Sequence, residues 1–147
     1  MKGRGAAYNP KNRFSENEVE WDEGFEPGTE EKVRTKYIDI HPKSIINKVP
    51  SPDVPSDFSV NPYQGCEHGC SYCYARPTHE YWGYGAGLEF ESVILVKKNA
   101  PELLRQAFDK KRWKGSSLMV SGNTDCYQPA ERKFKITRQM LQVCAEY

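Results

Sequence analysis

Cys66, Cys70 and Cys73 fall within eight residues, in the run Cys66-Glu67-His68-Gly69-Cys70-Ser71-Tyr72-Cys73. The spacing is C-x3-C-x2-C. Three thiolates this close share a metal centre once the loop curls. Iron–sulfur cubanes are normally held by four cysteines, so three leave one iron with an open position. A catalytic zinc keeps an open position in the same way. The other reading of the spacing is a structural zinc site of the Cys3His type, with His68 or His79 as fourth ligand. The two C-x2-C pairs typical of a zinc ribbon are not both present. With Cys126 and Cys144 the cysteines number five, an odd count unlike that of a secreted disulfide scaffold.

The residues around this cluster bound its context. The opening Met1-Lys2-Gly3-Arg4-Gly5-Ala6-Ala7-Tyr8 has no apolar stretch behind it, so no secretory signal is expected. The cytoplasm, where thiols stay reduced, is the expected compartment. No apolar run approaches the roughly 18 residues of a membrane span. The formal net charge of +1 does not suggest a general electrostatic grip on nucleic acid.

Residues 1–57 read as an N-terminal extension and linker, and 58–147 as an incomplete core domain. The first part holds six of the ten prolines. Ser15 to Glu31 is acidic, with Trp21 and Phe25 among its few aromatics, and 1–30 is expected to be mostly disordered or wrapped. Tyr37-Ile38-Asp39-Ile40 alternates as a short strand does. Pro50-Ser51-Pro52-Asp53-Val54-Pro55 reads as a stiff, extended linker. Phe58-Ser59-Val60-Asn61 is the first core strand, stopped by Pro62, and the cysteine loop follows. Ser92-Val93-Ile94-Leu95-Val96 is a buried-type strand. A helix follows, with Asn99 as cap, Pro101 and Glu102 in its first turn, and Leu103, Leu104, Ala107 and Phe108 as its apolar face. Lys110, Lys111 and Arg112 suit its C-terminal end. Leu118-Met119-Val120 is a third strand, and a last helix begins near Thr137 with Met140, Leu141 and Cys144 on one face. Strands alternating with helices argue for an α/β fold with a parallel sheet. Three strands cannot close a barrel or bury both faces of a sheet, so the chain is expected to be the N-terminal portion of a larger domain.

The cysteine run resembles the signature of the radical S-adenosylmethionine (radical SAM) superfamily: C-x3-C-x2-C after the first strand, with Tyr72 just before the last cysteine. Asn61-Pro62-Tyr63-Gln64-Gly65-Cys66 through Cys73-Tyr74-Ala75-Arg76-Pro77 is similar to the spore photoproduct lyase-like (DNA repair photolyase-like) subfamily. So are Ser121-Gly122-Asn123-Thr124-Asp125-Cys126-Tyr127-Gln128-Pro129 and the opening Lys2-Gly3-Arg4-Gly5-Ala6 with Asn9-Pro10. The resemblance covers nearly all of the chain. It implies a partial (βα)6 TIM-type barrel with the site at the C-terminal ends of its strands. It also implies a 4Fe-4S cluster on Cys66, Cys70 and Cys73, and S-adenosylmethionine on the open iron. Reductive cleavage to a 5′-deoxyadenosyl radical, hydrogen abstraction from a substrate, and an electron donor such as flavodoxin or ferredoxin follow from the same resemblance. Tyr72 is placed by it beside the adenine, and Asn123 and Thr124 near the cofactor's head or ribose. The lyase has a hydrogen-donor cysteine in the loop after its third strand where this chain has Gly122. Cys126, four residues on, is the nearest thiol and the candidate catalytic residue, with a place in the core as its other reading. The substrate is left open, with a nucleic-acid lesion as one class.

Other residues have plainer readings. Arg76 either balances the cluster's charge or is an ordinary helix residue, the reading favoured here. Tyr74, Tyr81, Trp82 and Tyr84 either stack on bases or pack the first helix on the sheet, the favoured reading because no basic stripe accompanies them. Cys144 reads as a small core residue. His41 reads as exposed, His68 as shaping the loop or facing solvent, and His79 as a loop residue. The alternative function is a zinc-stabilised nucleic-acid-binding module without catalysis.

Overall fold

A computed structural model describes residues 3–14, 34–111 and 113–147. The acidic stretch from Ser15 to Glu31, Lys2 and Arg112 lie outside the described residues. The elements run β1 (Lys36–Ile40), β2 (Ile46–Lys48), β3 (Phe58–Val60), β4 (Tyr63–Gln64), a 3₁₀ helix (Arg76–Trp82), α1 (Leu88–Ser92), β5 (Val93–Lys97), α2 (Ala100–Phe108), β6 (Leu118–Val120), α3 (Ala130–Phe134) and α4 (Ile136–Glu146). The fold is mixed α/β, and among the described residues it has two small sheets, of strand order β1-β5-β4 and β2-β3-β6. Among the described residues no helix is long and apolar enough to cross a membrane.

The chain divides into two compact units, each discontinuous in sequence. The first is Met1–Lys36 with Gly65–Ile94, and the second is Tyr37–Gln64 with Leu95–Tyr147. In the first, Cys66, Ala75 and Phe90 form a buried apolar cluster joined by Cys73. The described N-terminal residues lie along this unit as a strap. Asn9 Nδ2 donates to Glu89 at 2.7 Å, and Asn12 Nδ2 to the carbonyls of Glu80 and Tyr84 at 3.3 Å each. Arg13 pairs with Glu80 at 2.7 Å, and Phe14 stacks on Tyr81 with centroids 5.0 Å apart. The extension is therefore wrapped over residues 3–14.

In the second unit, β3 pairs parallel with β6 and antiparallel with β2. β5 pairs antiparallel with β4, with Tyr63 opposite Val96 and Gln64 opposite Leu95. The expected single parallel sheet of three strands is thus realised only in β3 and β6. Asn61-Pro62 ends β3 and starts a short second strand, and that strand takes β5 as its partner. Ile94, Leu95 and Val96 are buried in β5, as a continuous apolar run demands. The 50–55 segment is a correction: it closes the β2–β3 hairpin. Val54 N–H reaches Ser51 O at 3.5 Å and Val49 N–H reaches Asp57 O at 3.0 Å. Proline at the second position of Ser51-Pro52-Asp53-Val54 suits a turn as well as it suits an extended linker.

Helix α2 has Asn99 at its N-cap position, but the side chain does not cap; its Nδ2 donates to Pro42 O at 3.0 Å. Leu104 and Phe108 are buried, one turn apart, and the helix ends at Phe108, short of Lys110 and Lys111. Helix α4 packs against α2. It buries Ile136, Thr137, Met140 and Val143, while Leu141 is exposed and Cys144 half-buried. The buried stripe follows spacings of four and three from Ile136, a phase one residue off that of the expected Met140-Leu141-Cys144 face.

Candidate metal centre

The cysteine loop belongs to the first unit and is held by backbone hydrogen bonds, one to α1 and two within the loop. Cys66 N–H donates to Phe90 O at 2.8 Å, Gly69 N–H to Cys66 O at 3.2 Å, and Cys73 N–H to Cys70 O at 3.2 Å. Two successive turns therefore carry the three cysteines. Gly69, between them, has φ of +64°, a conformation that favours glycine. Cys66 is buried, Cys70 and Cys73 are half-buried, and His68 is exposed. All five cysteines are free thiols.

Arg76 holds this loop from beneath. Its Nε donates to Cys70 O at 3.0 Å and its Nη2 to Gly69 O at 2.7 Å. Nη1 reaches Ala86 O at 3.3 Å and Gly87 O at 3.0 Å, and Nη2 also pairs with Glu91 Oε2 at 2.9 Å. All five guanidinium N–H donors are used, and the group lies 5.1 Å from the centroid of the Phe90 ring. Glu91, its counter-charge, is fully buried. The expectation of an ordinary helix residue is corrected: Arg76 is a buried keystone whose donors fix the carbonyls of the loop. A planar fork of this kind is a capacity of arginine that lysine lacks.

Tyr72 projects from the loop, 88% exposed. Its phenol sits beside Cys70, and a hydrogen bond to that thiol, then the charge of a Cys70 thiolate, raise its pKa. Tyr74 and Tyr81 are exposed, and Trp82 is 41% exposed. The expectation that the aromatic run packs inward is overturned for these three; only Tyr84 turns inward, onto His79. The 3₁₀ helix turns every third residue, so its apolar positions do not follow an α-helical stripe.

Asn123, Thr124 and Cys126 belong to the second unit, in the loop after β6. That loop opens on Ser121 at φ +71°, an uncommon conformation for a residue with a side chain. Thr124 is buried and its hydroxyl donates to Tyr63 O at 2.6 Å. Asn123 is half-buried, with its backbone N–H on Asn61 Oδ1 at 3.1 Å. Cys126 is buried, and burial pushes its thiol pKa up, against a hydrogen bond with Ser121 that lowers it. Lys97, at the end of β5, escaped the sequence reading. It is buried, and its ammonium donates to Asn61 O at 2.8 Å. Burial alone lowers its pKa to about 8. A lysine closing an apolar strand was the available signal.

Among the described residues, no group of three or more His, Cys, Asp or Glu side chains is gathered as around a metal ion. The donors suited to an iron–sulfur cluster are nevertheless on one loop whose backbone is fixed. Each thiol swings about a single torsion among three staggered positions. The soft three-thiol set fits a cluster with an open iron in its chemistry.

No family model matches the chain, and no solved structure matches it. Over 95 residues, 64% of this chain, it is 40% identical to the uncharacterized protein Rv2578c of Mycobacterium tuberculosis (strain ATCC 25618 / H37Rv), covering 28% of that protein. Over 109 residues, 74% of this chain, it is 35% identical to the uncharacterized protein MJ0683 of Methanocaldococcus jannaschii, covering 38% of it. The matches thus span about a third of the length of these curated relatives.

Proposed function

We propose that this chain carries the cluster-binding part of a radical SAM enzyme similar to the spore photoproduct lyase-like subfamily. The observation that supports this most is the C-x3-C-x2-C loop, its carbonyls held by a buried arginine. Cys66, Cys70 and Cys73 are the ligands of a 4Fe-4S cluster in this reading, and the unligated iron takes S-adenosylmethionine. When bound and reduced, the cluster supplies the electron that cleaves S-adenosylmethionine to the 5′-deoxyadenosyl radical, which takes hydrogen from substrate. Tyr72 lines the adenine side. Asn123 and Thr124 serve the cofactor's head or ribose; the Thr124 hydrogen is committed to Tyr63 O, which leaves its oxygen as an acceptor. Cys126 is the candidate hydrogen donor, and its raised pKa suits that role, which needs a thiol with its hydrogen. An electron donor such as flavodoxin or ferredoxin, a cytoplasmic location and a substrate that includes nucleic-acid lesions among its candidates complete the reading. The parallel β3–β6 pair, with loops at the C-terminal ends of both strands, supports the start of a partial (βα)6 TIM-type barrel.

The test is anaerobic reconstitution with iron and sulfide, followed by low-temperature electron paramagnetic resonance of the reduced protein. The expected outcome is a 4Fe-4S signal that shifts when S-adenosylmethionine is added and disappears in Cys66→Ala, Cys70→Ala and Cys73→Ala. Zinc without iron in anaerobically prepared protein would sink the proposal.

Exposed Tyr74, Tyr81 and Trp82 favour a second reading, a zinc-stabilised nucleic-acid-binding module, because aromatic faces stack on unpaired bases. That reading requires folding with zinc alone and an affinity for single-stranded DNA that falls steeply with salt.

A further inference from the structure

Arg4 and Gly5 of the N-terminal strap approach the cysteine loop at Gly69 and Ser71. The carboxylate of Glu91 accepts the N–H of Arg4, and its Oε2 accepts the N–H of Gly5 at 3.1 Å. The same oxygen takes the Arg76 guanidinium at 2.9 Å. Arg4 also sends its guanidinium to Glu91 O and, at 2.7 Å, to Thr35 Oγ1. The approach is close enough to require glycine on both sides. A Cβ on Gly5 would lie 1.9 Å from Gly69 O and 3.0 Å from Ser71 N, and a Cβ on Gly69 would lie 2.7 Å from Arg4 Cβ. The carbonyl of Gly69 is at the same time the acceptor of Arg76 Nη2.

We propose that Gly3-Arg4-Gly5 is a clamp that fixes the cysteine loop, with Glu91 and Arg76 as positioning residues linking the two. One buried carboxylate holds the strap by two consecutive N–H groups and holds the arginine that grips the loop carbonyls. Removing the strap leaves two of the carboxylate's donors missing and uncovers Gly69 and Ser71. The buried Glu91–Arg76 pair then carries a larger share of the loop's order. The proposal rests on the radical SAM reading only in naming what the loop holds; the clamp itself does not depend on which metal is bound.

The test uses the metal-free, reduced chain and measures alkylation rates of single cysteines by peptide mass spectrometry at fixed pH. Cys66 and Cys126 are each 7% exposed, and they lie in different units, so Cys126 is a matched control. In Gly5→Ala the Cys66 rate is expected to rise about tenfold, the change in local opening that loss of one hydrogen bond to a charged group brings. The Cys126 rate is expected to stay as it was. Arg4→Ala keeps both backbone N–H groups on Glu91 and is expected to change the Cys66 rate less. If circular dichroism shows Gly5→Ala unfolded, Glu91→Gln, which keeps the side chain's size, carries the test with the same expected rise at Cys66. A folded variant with an unchanged Cys66 rate, or with Cys66 and Cys126 accelerated equally, would overturn the clamp. Neither result bears on whether the loop takes iron, which the reconstitution experiment decides separately.

Discussion

His79 is fully buried in the 3₁₀ helix, against Tyr84 at 5.2 Å and edge-on to Phe90 at 5.7 Å. Neither ring nitrogen has a hydrogen-bond partner of good geometry. Burial lowers its pKa to about 4, with the charge and backbone of nearby Glu89 opposing. The folded-state pKa therefore lies below the ordinary value of 6.5, and folding favours the neutral ring. Its contribution to stability is complete above pH 6.5 and is lost as pH falls towards 4. The loss amounts to on the order of 3 kcal/mol. Urea denaturation at pH 7 and pH 4.5 is expected to show a smaller drop for His79→Phe than for the parent chain. Equal drops would refute this. The sequence offers His79 as a loop residue or as a fourth zinc ligand, and not as a buried one, because no side-chain periodicity betrays a 3₁₀ segment. Arg76 is likewise visible in the sequence without its role: four of its five hydrogen bonds go to backbone carbonyls, which carry no residue identity, and only the fifth goes to a side chain, Glu91. The three cysteines, by contrast, stand out by residue type and spacing alone, and the structure carries them on one loop.

At the scale of elements, helix α4 begins without a cap of its own. Lys135 occupies the N-cap position at φ +56° and makes no side-chain cap. The cap comes from α3: Glu131 accepts the N–H of Thr137 and of Arg138, each at 3.0 Å. Two orphan donors are satisfied by one carboxylate placed at the positive end of the helix. The Glu131 carboxylate also accepts the hydroxyl of buried Tyr63, whose pKa is raised by burial and by this carboxylate. Glu131→Ala is expected to cost about 2–4 kcal/mol, the loss of a cap plus an unpaired buried hydroxyl. A loss under about 0.5 kcal/mol by chemical denaturation would show the cap to be idle. β1, β3, β5, β6, α2 and α4 were all legible from apolar pattern. α3 was not, since Ala130-Glu131-Arg132-Lys133-Phe134 is one short turn with little to bury. The β2–β3 hairpin leaves little trace, because Ile46-Asn47-Lys48 is too short to alternate and the prolines beyond it suit a stiff linker as well as a turn.

At the scale of the molecule, the α/β class followed from the order of strands and helices, but the sheet arrangement did not. A strand's partner is chosen by tertiary contacts, and β4, two residues long, captures β5. Nor could composition reveal that residues 3–14 are ordered. Apart from Phe14, their anchors are glycines, asparagines, arginines and backbone N–H groups, which leave no apolar period to read. The first and last described segments consequently differ in what they tolerate. The C-terminal contacts, Arg105 with Glu146 and Tyr147 with Asp109, are exposed, and such pairs contribute little. At the other end, Gly3 lies where even a Cβ would come within 2.1 Å of Glu91 Oε1. Gly3→Ala therefore displaces the Glu91 carboxylate that holds Arg4 and Gly5, while Glu146→Ala leaves it untouched. Iron content measured on the two variants is expected to differ in favour of Glu146→Ala.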